Sequence, residues 1–296
     1  MPSRLGVGFI VLFWFAATAH VGHREVWPRF FSDGPPPLRI DLADEAAQTV
    51  PTYWDVYRGD QRVGKLTTRM QYVPEDDTFR FLNTYQNLSV DFGAISLEIP
   101  KLDTTVRVTR SGDLREQHMS GSLQLKTGLG AVRLAEATAE VTGAVQNSQL
   151  VGRCMITSRL GNIDRPLEPV PVPQGQVLNP MMPVSRLQDV QPGRRWVIRE
   201  VDPLRDALNV LVKEVLKSSE VAASAIPQQG GGELIAEVKS SPEKLERPGK
   251  EPVECWVIEY RGDEVHARTW VSVADGRVLR QEASGFGERL RFERQE

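Results

Sequence analysis

Catalysis needs side chains of complementary type within reach of one another, and the nearest such pair in this chain is His118 and Ser120. Two positions apart on a strand, they would share one face, as a nucleophile and its base must. The sequence offers no third group to orient the histidine, so the pair supports only an alternative reading, an unrecognised hydrolase. Cys154 and Cys255 lie far apart, outside any Cys-x-x-Cys spacing and without a nucleophile signature, and no Gly-x-Ser-x-Gly elbow occurs. Asp76-Asp77 falls in a turn and Asp41, Asp44 and Glu45 in a linker, where solvated charge is the ordinary role. His20 and His23 flank an apolar segment, while His118 and His266 are isolated on separate strands. We therefore expect no catalytic set, no metal and no cofactor, and a protein that is not an enzyme.

Apolar recognition is the other chemistry the residues could support. Trp54, Trp196, Trp256 and Trp270 all fall in the β-rich body, where they would either fill the core or line an apolar face for a lipid or other apolar ligand. The two cysteines leave a similar choice: two buried thiols, or a Cys154–Cys255 disulfide in an oxidising compartment.

The elements that would position these residues are mostly strands. The stretch from Glu254 to Arg294 is the clearest run of alternating strands in the chain. Val265, Ala267, Thr269, Val271 and Val273 oppose His266, Arg268, Trp270 and Ser272, and Leu290 and Phe292 oppose Arg289, Arg291 and Glu293. Turns at Arg261-Gly262-Asp263-Glu264 and Ala274-Asp275-Gly276 break this run into a β-meander. Earlier strands are predicted at Tyr53–Tyr57, Arg62–Val73, Phe79–Leu88, Thr104–Thr109, Leu114–Leu125, Ala131–Thr142 and Gln149–Thr157. Seven prolines between Arg165 and Pro192 predict an extended crossing loop, and Ser240–Pro252 reads as another loop. Asp202-Pro203 would cap an amphipathic helix carrying Leu204, Ala207, Leu208, Leu211 and Val215. The run Gly230-Gly231-Gly232 lacks the Lys-Ser/Thr of a phosphate cradle.

Leu5–Ala19 is unbroken apolar or small and follows Arg4. Extended to Val21 it nears the lower length limit, about 17 residues, for a membrane helix. Ala17-Thr18-Ala19 would suit signal cleavage, whereas Trp27, Phe30 and Phe31 would suit an uncleaved anchor, and both readings stay open. The expected organisation is an anchor or signal peptide over 1–22, a linker over 23–51 containing Pro35-Pro36-Pro37, and one extracytoplasmic β domain over 52–296. A formal net charge of -3, with no basic run carrying aromatics, argues against nucleic acid as a partner.

Several short pieces carry a resemblance: Tyr53-Trp54-Asp55-Val56-Tyr57 with Arg62-Val63-Gly64, Arg107-Val108-Thr109-Arg110 before Ser111-Gly112-Asp113-Leu114, Pro192-Gly193-Arg194-Arg195-Trp196, and Thr269-Trp270-Val271 with Asp275-Gly276-Arg277. Together they resemble uncharacterised exported β-rich bacterial proteins. They are also similar to the noncatalytic β module of bacterial transglutaminase-like proteins and, more distantly, to the half-barrels of lipoprotein-localisation factors. No Cys-His-Asp set follows the body and no lipobox cysteine stands near Ala19, so neither transglutaminase activity nor a lipid anchor carries over. The expected fold is mainly β, a large curved antiparallel sheet to which the resemblance adds the half-barrel likeness, with one N-terminal membrane helix and one amphipathic helix read from the residues above. The expected place is the inner membrane, crossed once by Leu5–Val21 with the body outside the cytoplasm; the alternative is a periplasmic or secreted body released near Ala19. The expected partner is an apolar ligand on the concave sheet, and the alternative is an envelope protein for which this chain serves as an interaction or scaffold module.

Overall fold

The computed structural model describes Trp14, Ala17 and Thr18 and residues 50–92, 95–109, 113–127, 133–159, 161–172, 185–187, 190–199, 233–247, 249–262, 265–285 and 288–295. The chain divides into two compact units, Met1–Gly34 and Pro35–Glu296. In the first, the three described residues are helical. Among the described residues no helix is long and apolar enough to cross a membrane. The rest of the expected membrane segment, the predicted amphipathic helix and the triglycine run lie outside the described residues.

The second unit holds one sixteen-stranded sheet. Its strands are β1 (Thr52–Arg58), β2 (Gln61–Val73), β3 (Thr78–Phe92), β4 (Ile95–Thr109), β5 (Leu114–Thr127), β6 (Arg133–Gln146), β7 (Gln149–Ser158), β8 (Gly161–Pro166), β9 (Val170–Pro171), β10 (Arg195–Arg199), β11 (Glu233–Val238), β12 (Glu243–Arg247), β13 (Lys250–Arg261), β14 (Val265–Ser272), β15 (Val278–Gly285) and β16 (Glu288–Arg294). Every pairing is antiparallel. The order is β10-β11-β13-β14-β15-β16-β1-β2-β3-β4-β5-β6-β7-β8, with β12 also on β13 and β9 also on β7. Among the described residues the sheet is open, because its two end strands do not pair with each other. The C-terminal meander and the N-terminal strands are joined where β16 pairs with β1, so the chain's last strand lies beside its first.

Alternation buries one face along most of this sheet. A single cluster runs from Trp196 on β10 through Ala236, Ile258, Ala267, Phe292, Trp54, Leu66 and Leu102 to Cys154 and Ile156 on β7. Two smaller clusters flank it. Leu245, Cys255, Val257, Trp270 and Leu279 pack on the opposite face of the C-terminal strands, and Phe79, Val106 and Val108 close the far ends of β3 and β4. Both faces of β13 and β14 are therefore covered, which explains why Val257 and Ile258, adjacent and pointing opposite ways, are both fully buried. Between the main cluster and the Phe79 cluster runs a cross-strand row of polar residues, Thr52, Thr68, Asn83 and Thr104. Within it the Trp54 indole N–H donates to Thr68 Oγ1 at 3.1 Å, which satisfies a donor that burial would otherwise strand.

Two expected loops contain strands. The proline-rich stretch takes in the last two residues of β8 and all of β9, both at the sheet's edge, where a residue without an N–H removes no ladder bond. The Ser240–Pro252 stretch forms β12 and the start of β13, joined by a turn in which Gly249 has φ +71°. β11 is likewise a strand that the alternation of Leu234, Ala236 and Val238 with Ile235 and Glu237 could have supplied.

Candidate functional site

A recess lined by polar groups lies on the face of β4–β7 opposite the main core. It is a trough of about 300 Å³. Two adjoining cross-strand rows build it: Lys101, Ser122, Thr138 and Thr157 form one, and Asp103, Ser120, Glu140 and Met155 the other. Between the rows the backbone of Gly121 and Ala139 completes the floor, with the Ala139 side chain in the core on the far side. Small side chains in the middle of a sheet, ringed by longer ones, leave the depression. Beyond the first row stand Glu98, paired with Lys126 at 2.5 Å, and Gln124, which donates to Glu136 at 3.5 Å.

The register of β4 fixes these rows. Pro100 sits within the strand, at a register shift between Glu98 and Lys101 that spares a ladder bond the proline could not donate. Downstream of the shift Leu102 faces the core while Lys101 and Asp103 face the trough. Gly121 lies opposite Leu102, and a Cβ there would stand 2.9 Å from both Leu102 Cδ1 and the Lys101 carbonyl oxygen.

The trough's charged groups are held in different degrees. Asp103 accepts from Thr84 Oγ1 at 2.7 Å and pairs with Lys101 Nζ at 2.7 Å. Burial alone would raise its carboxyl, but these two donors outweigh it and hold it below the usual aspartate range. Glu140 lies 3.9 Å from His118 Nδ1. Ser120, Ser122, Thr138 and Thr157 make no side-chain hydrogen bond to another described residue. The structure thus leaves four hydroxyls, each both donor and acceptor, available on the floor.

Ser120 and His118 do share a face of β5, and Glu140 lies across from Ser120. At the strand rise of about 3.4 Å per residue the two are about 7 Å apart along β5, and no hydrogen bond joins them. This is not the geometry of an activated nucleophile, whose base sits about 3 Å from it.

The tryptophans do not converge on one recess. Trp54 and Trp196 are fully buried in the main cluster, Trp256 is half-buried against it, and Trp270 belongs to the cluster on the other face, with Arg280 stacked 5.7 Å from its ring. Cys154 and Cys255 are both free and buried, the first in the main cluster and the second in the opposite-face one. Burial pushes both thiols up, that of Cys255 to about 11. Among the described residues no group of three His, Cys, Asp or Glu side chains could hold a metal.

No family model matches the chain, and no curated protein matches it. A solved structure similar to it is that of a β-barrel-like protein of a domain of unknown function, DUF1849, from Brucella abortus. The two are 9% identical over 84% of this chain and 97% of that one, with a TM-score of 0.37.

The trough was missed in the sequence because each of its residues is an ordinary surface type and only strand register assembles them. A signal was nevertheless there. In Ser120-Gly121-Ser122 and in Glu136-Ala137-Thr138-Ala139-Glu140 small and polar residues occupy strand positions where bulky β-branched ones are usual.

Proposed function

We propose that this chain is an exported, membrane-tethered binding protein that acts by contact, with the β4–β7 trough as its contact surface. The observation that carries this reading is the set of four solvent-facing hydroxyls between Asp103, Lys101 and Glu140, none bonded to another described side chain, on a face whose backbone is already committed to the ladder. Such a surface offers a partner side-chain hydrogen bonds without requiring any strand to open. The apolar run Leu5–Val21 supports the tether.

The test is a photoreactive amino acid placed at Thr138 in the trough, with Thr142 on the same strand and face as control. Irradiation of intact cells is expected to give one adduct of reproducible mass from position 138 and not from 142, in a membrane fraction that resists alkaline extraction. Equal labelling at both positions, or at neither, would remove the trough as the contact surface. An apolar ligand on the core face is the second reading, motivated by Trp54, Trp196 and Trp256 in and against the main cluster. Organic extraction of the purified protein tests it, and a stoichiometric lipid would put that reading in place of the trough.

A further inference from the structure

We propose that the occupant of the trough is a short neutral oligosaccharide, an inference that rests on the trough being the contact surface. The groups on offer select the ligand class. β4–β7 are paired on both sides through the trough, so a peptide backbone would find no ladder partner on this face. Two carboxylates against one ammonium, with Asp103 already neutralising Lys101, give no cationic pocket for a phosphate or an acidic ligand. What remains is Ser120, Ser122, Thr138 and Thr157, each able to donate and accept, and Glu140, able only to accept. A ligand that is itself a dense array of hydroxyls matches this set, since each of its groups can also act both ways.

Shape agrees with chemistry. The rows cross four strands, so the trough is about 14 Å long at the usual interstrand spacing, the reach of a di- to trisaccharide. Its 300 Å³ lies at the small end of ligand sites. Met155, 44% exposed at one end, and the methyl groups of Thr138 and Thr157 supply apolar contact for the C–H faces of sugar rings.

The experiment is calorimetric titration of the full-length protein, held in a phosphocholine detergent, with triacetylchitotriose and with cellotriose. Saturable binding of either trisaccharide is expected. Thr138→Arg, which fills the floor, should weaken it at least tenfold, Glu140→Gln several-fold, and Thr142→Arg, two rows' width away on β6, not at all. Thermal melts of the three variants establish that each is folded. Absence of binding by both sugars, or binding indifferent to Thr138→Arg, overturns the proposal. The crosslinking result separates the two levels: a position-138 adduct without sugar binding sinks the saccharide alone, whereas loss of the adduct sinks the contact surface as well.

Discussion

At the scale of single residues, one tightly held carboxylate is Glu259, whose side chain is only 4% exposed near the end of β13. A carboxylate so placed is tolerated because cations surround it. Arg268 lies at 3.0 Å across the β13–β14 pair, Lys239 at 3.4 Å, and Arg261 two residues along the same strand bonds it directly. The group belongs to a longer cross-strand row, Arg195, Glu237, Glu259, Arg268, Glu282, Arg291 and Tyr57, in which mostly opposite charges face each other. Burial raises the Glu259 carboxyl, while the Arg261 bond and the charges of Lys239, Arg261 and Arg268 lower it by more, so its net displacement is downward from 4.5. Its folded pKa lies below its unfolded one, so its contribution is complete above the unfolded value and is lost as pH falls from there through the folded value. Breaking a fully buried pair costs about 3–5 kcal/mol. Here the three cations are 36–53% exposed and can return to water, so Glu259→Gln should cost about 2 kcal/mol at neutral pH. Urea unfolding at a series of pH values measures this: the gap between wild type and variant should narrow as pH drops below 4.5, and a gap independent of pH would show that charge is not the cause.

At the scale of elements, what the sequence made legible was alternation, and what it hid was irregularity. The meander from β13 to β16 was readable because Val265–Ser272 and Arg289–Glu293 keep period two without interruption. The strand predicted at Thr104–Thr109 proves to begin at Ile95, because Pro100 and the Lys101–Asp103 pair look like a break when read as sequence. A register shift absorbs the proline, and Asn87, with φ +53°, accommodates the facing part of β3. β12 was hidden for a different reason: Leu245 is the sole apolar residue in Glu243–Arg247, and its packing partners Cys255, Val257 and Trp270 come from strands beyond it. Of the candidate site, the sequence showed that His118 and Ser120 share a face; the trough that Ser120 helps to line depends on three strand registers that no local pattern encodes. The β4–β5 pairing on which those registers depend has a testable weak point at Gly121 on β5. An added methyl there would meet the Lys101 carbonyl oxygen at 2.9 Å, and backbone inside a paired strand cannot give way as a side-chain end can. Gly121→Ala should therefore cost about 1–3 kcal/mol, although alanine ordinarily stabilises a strand relative to glycine. Chemical denaturation decides the sign, and a neutral or stabilised variant would mean that β4 and β5 shift freely against each other.

At the scale of the whole sheet, the question is whether sixteen strands in sequential antiparallel order unfold together or as two halves, β10–β16 and β2–β8, hinged where β16 meets β1. Neighbour pairing alone would allow separate halves, since among the described strands the two are bonded to each other only through β1. The main cluster argues otherwise, because the same contiguous set holds Trp196 and Ile258 from one half, Cys154 and Ile156 from the other, and Trp54 and Phe292 at the junction. The two cysteines report on the halves separately. Cys154 lies on β7, Cys255 on β13, and both are buried with their thiols displaced upward by desolvation, so neither should react with a thiol reagent in the native state. In the single-cysteine variants Cys154→Ala and Cys255→Ala, the remaining thiol is expected to become reactive over one and the same range of urea, coincident with loss of tryptophan burial. Coincidence of independent probes is what a cooperative unit requires. If Cys154 were exposed at a lower urea concentration than Cys255, β2–β8 would open first as a unit of its own. The trough, carried on those strands, would then be a surface that the rest of the sheet does not stabilise.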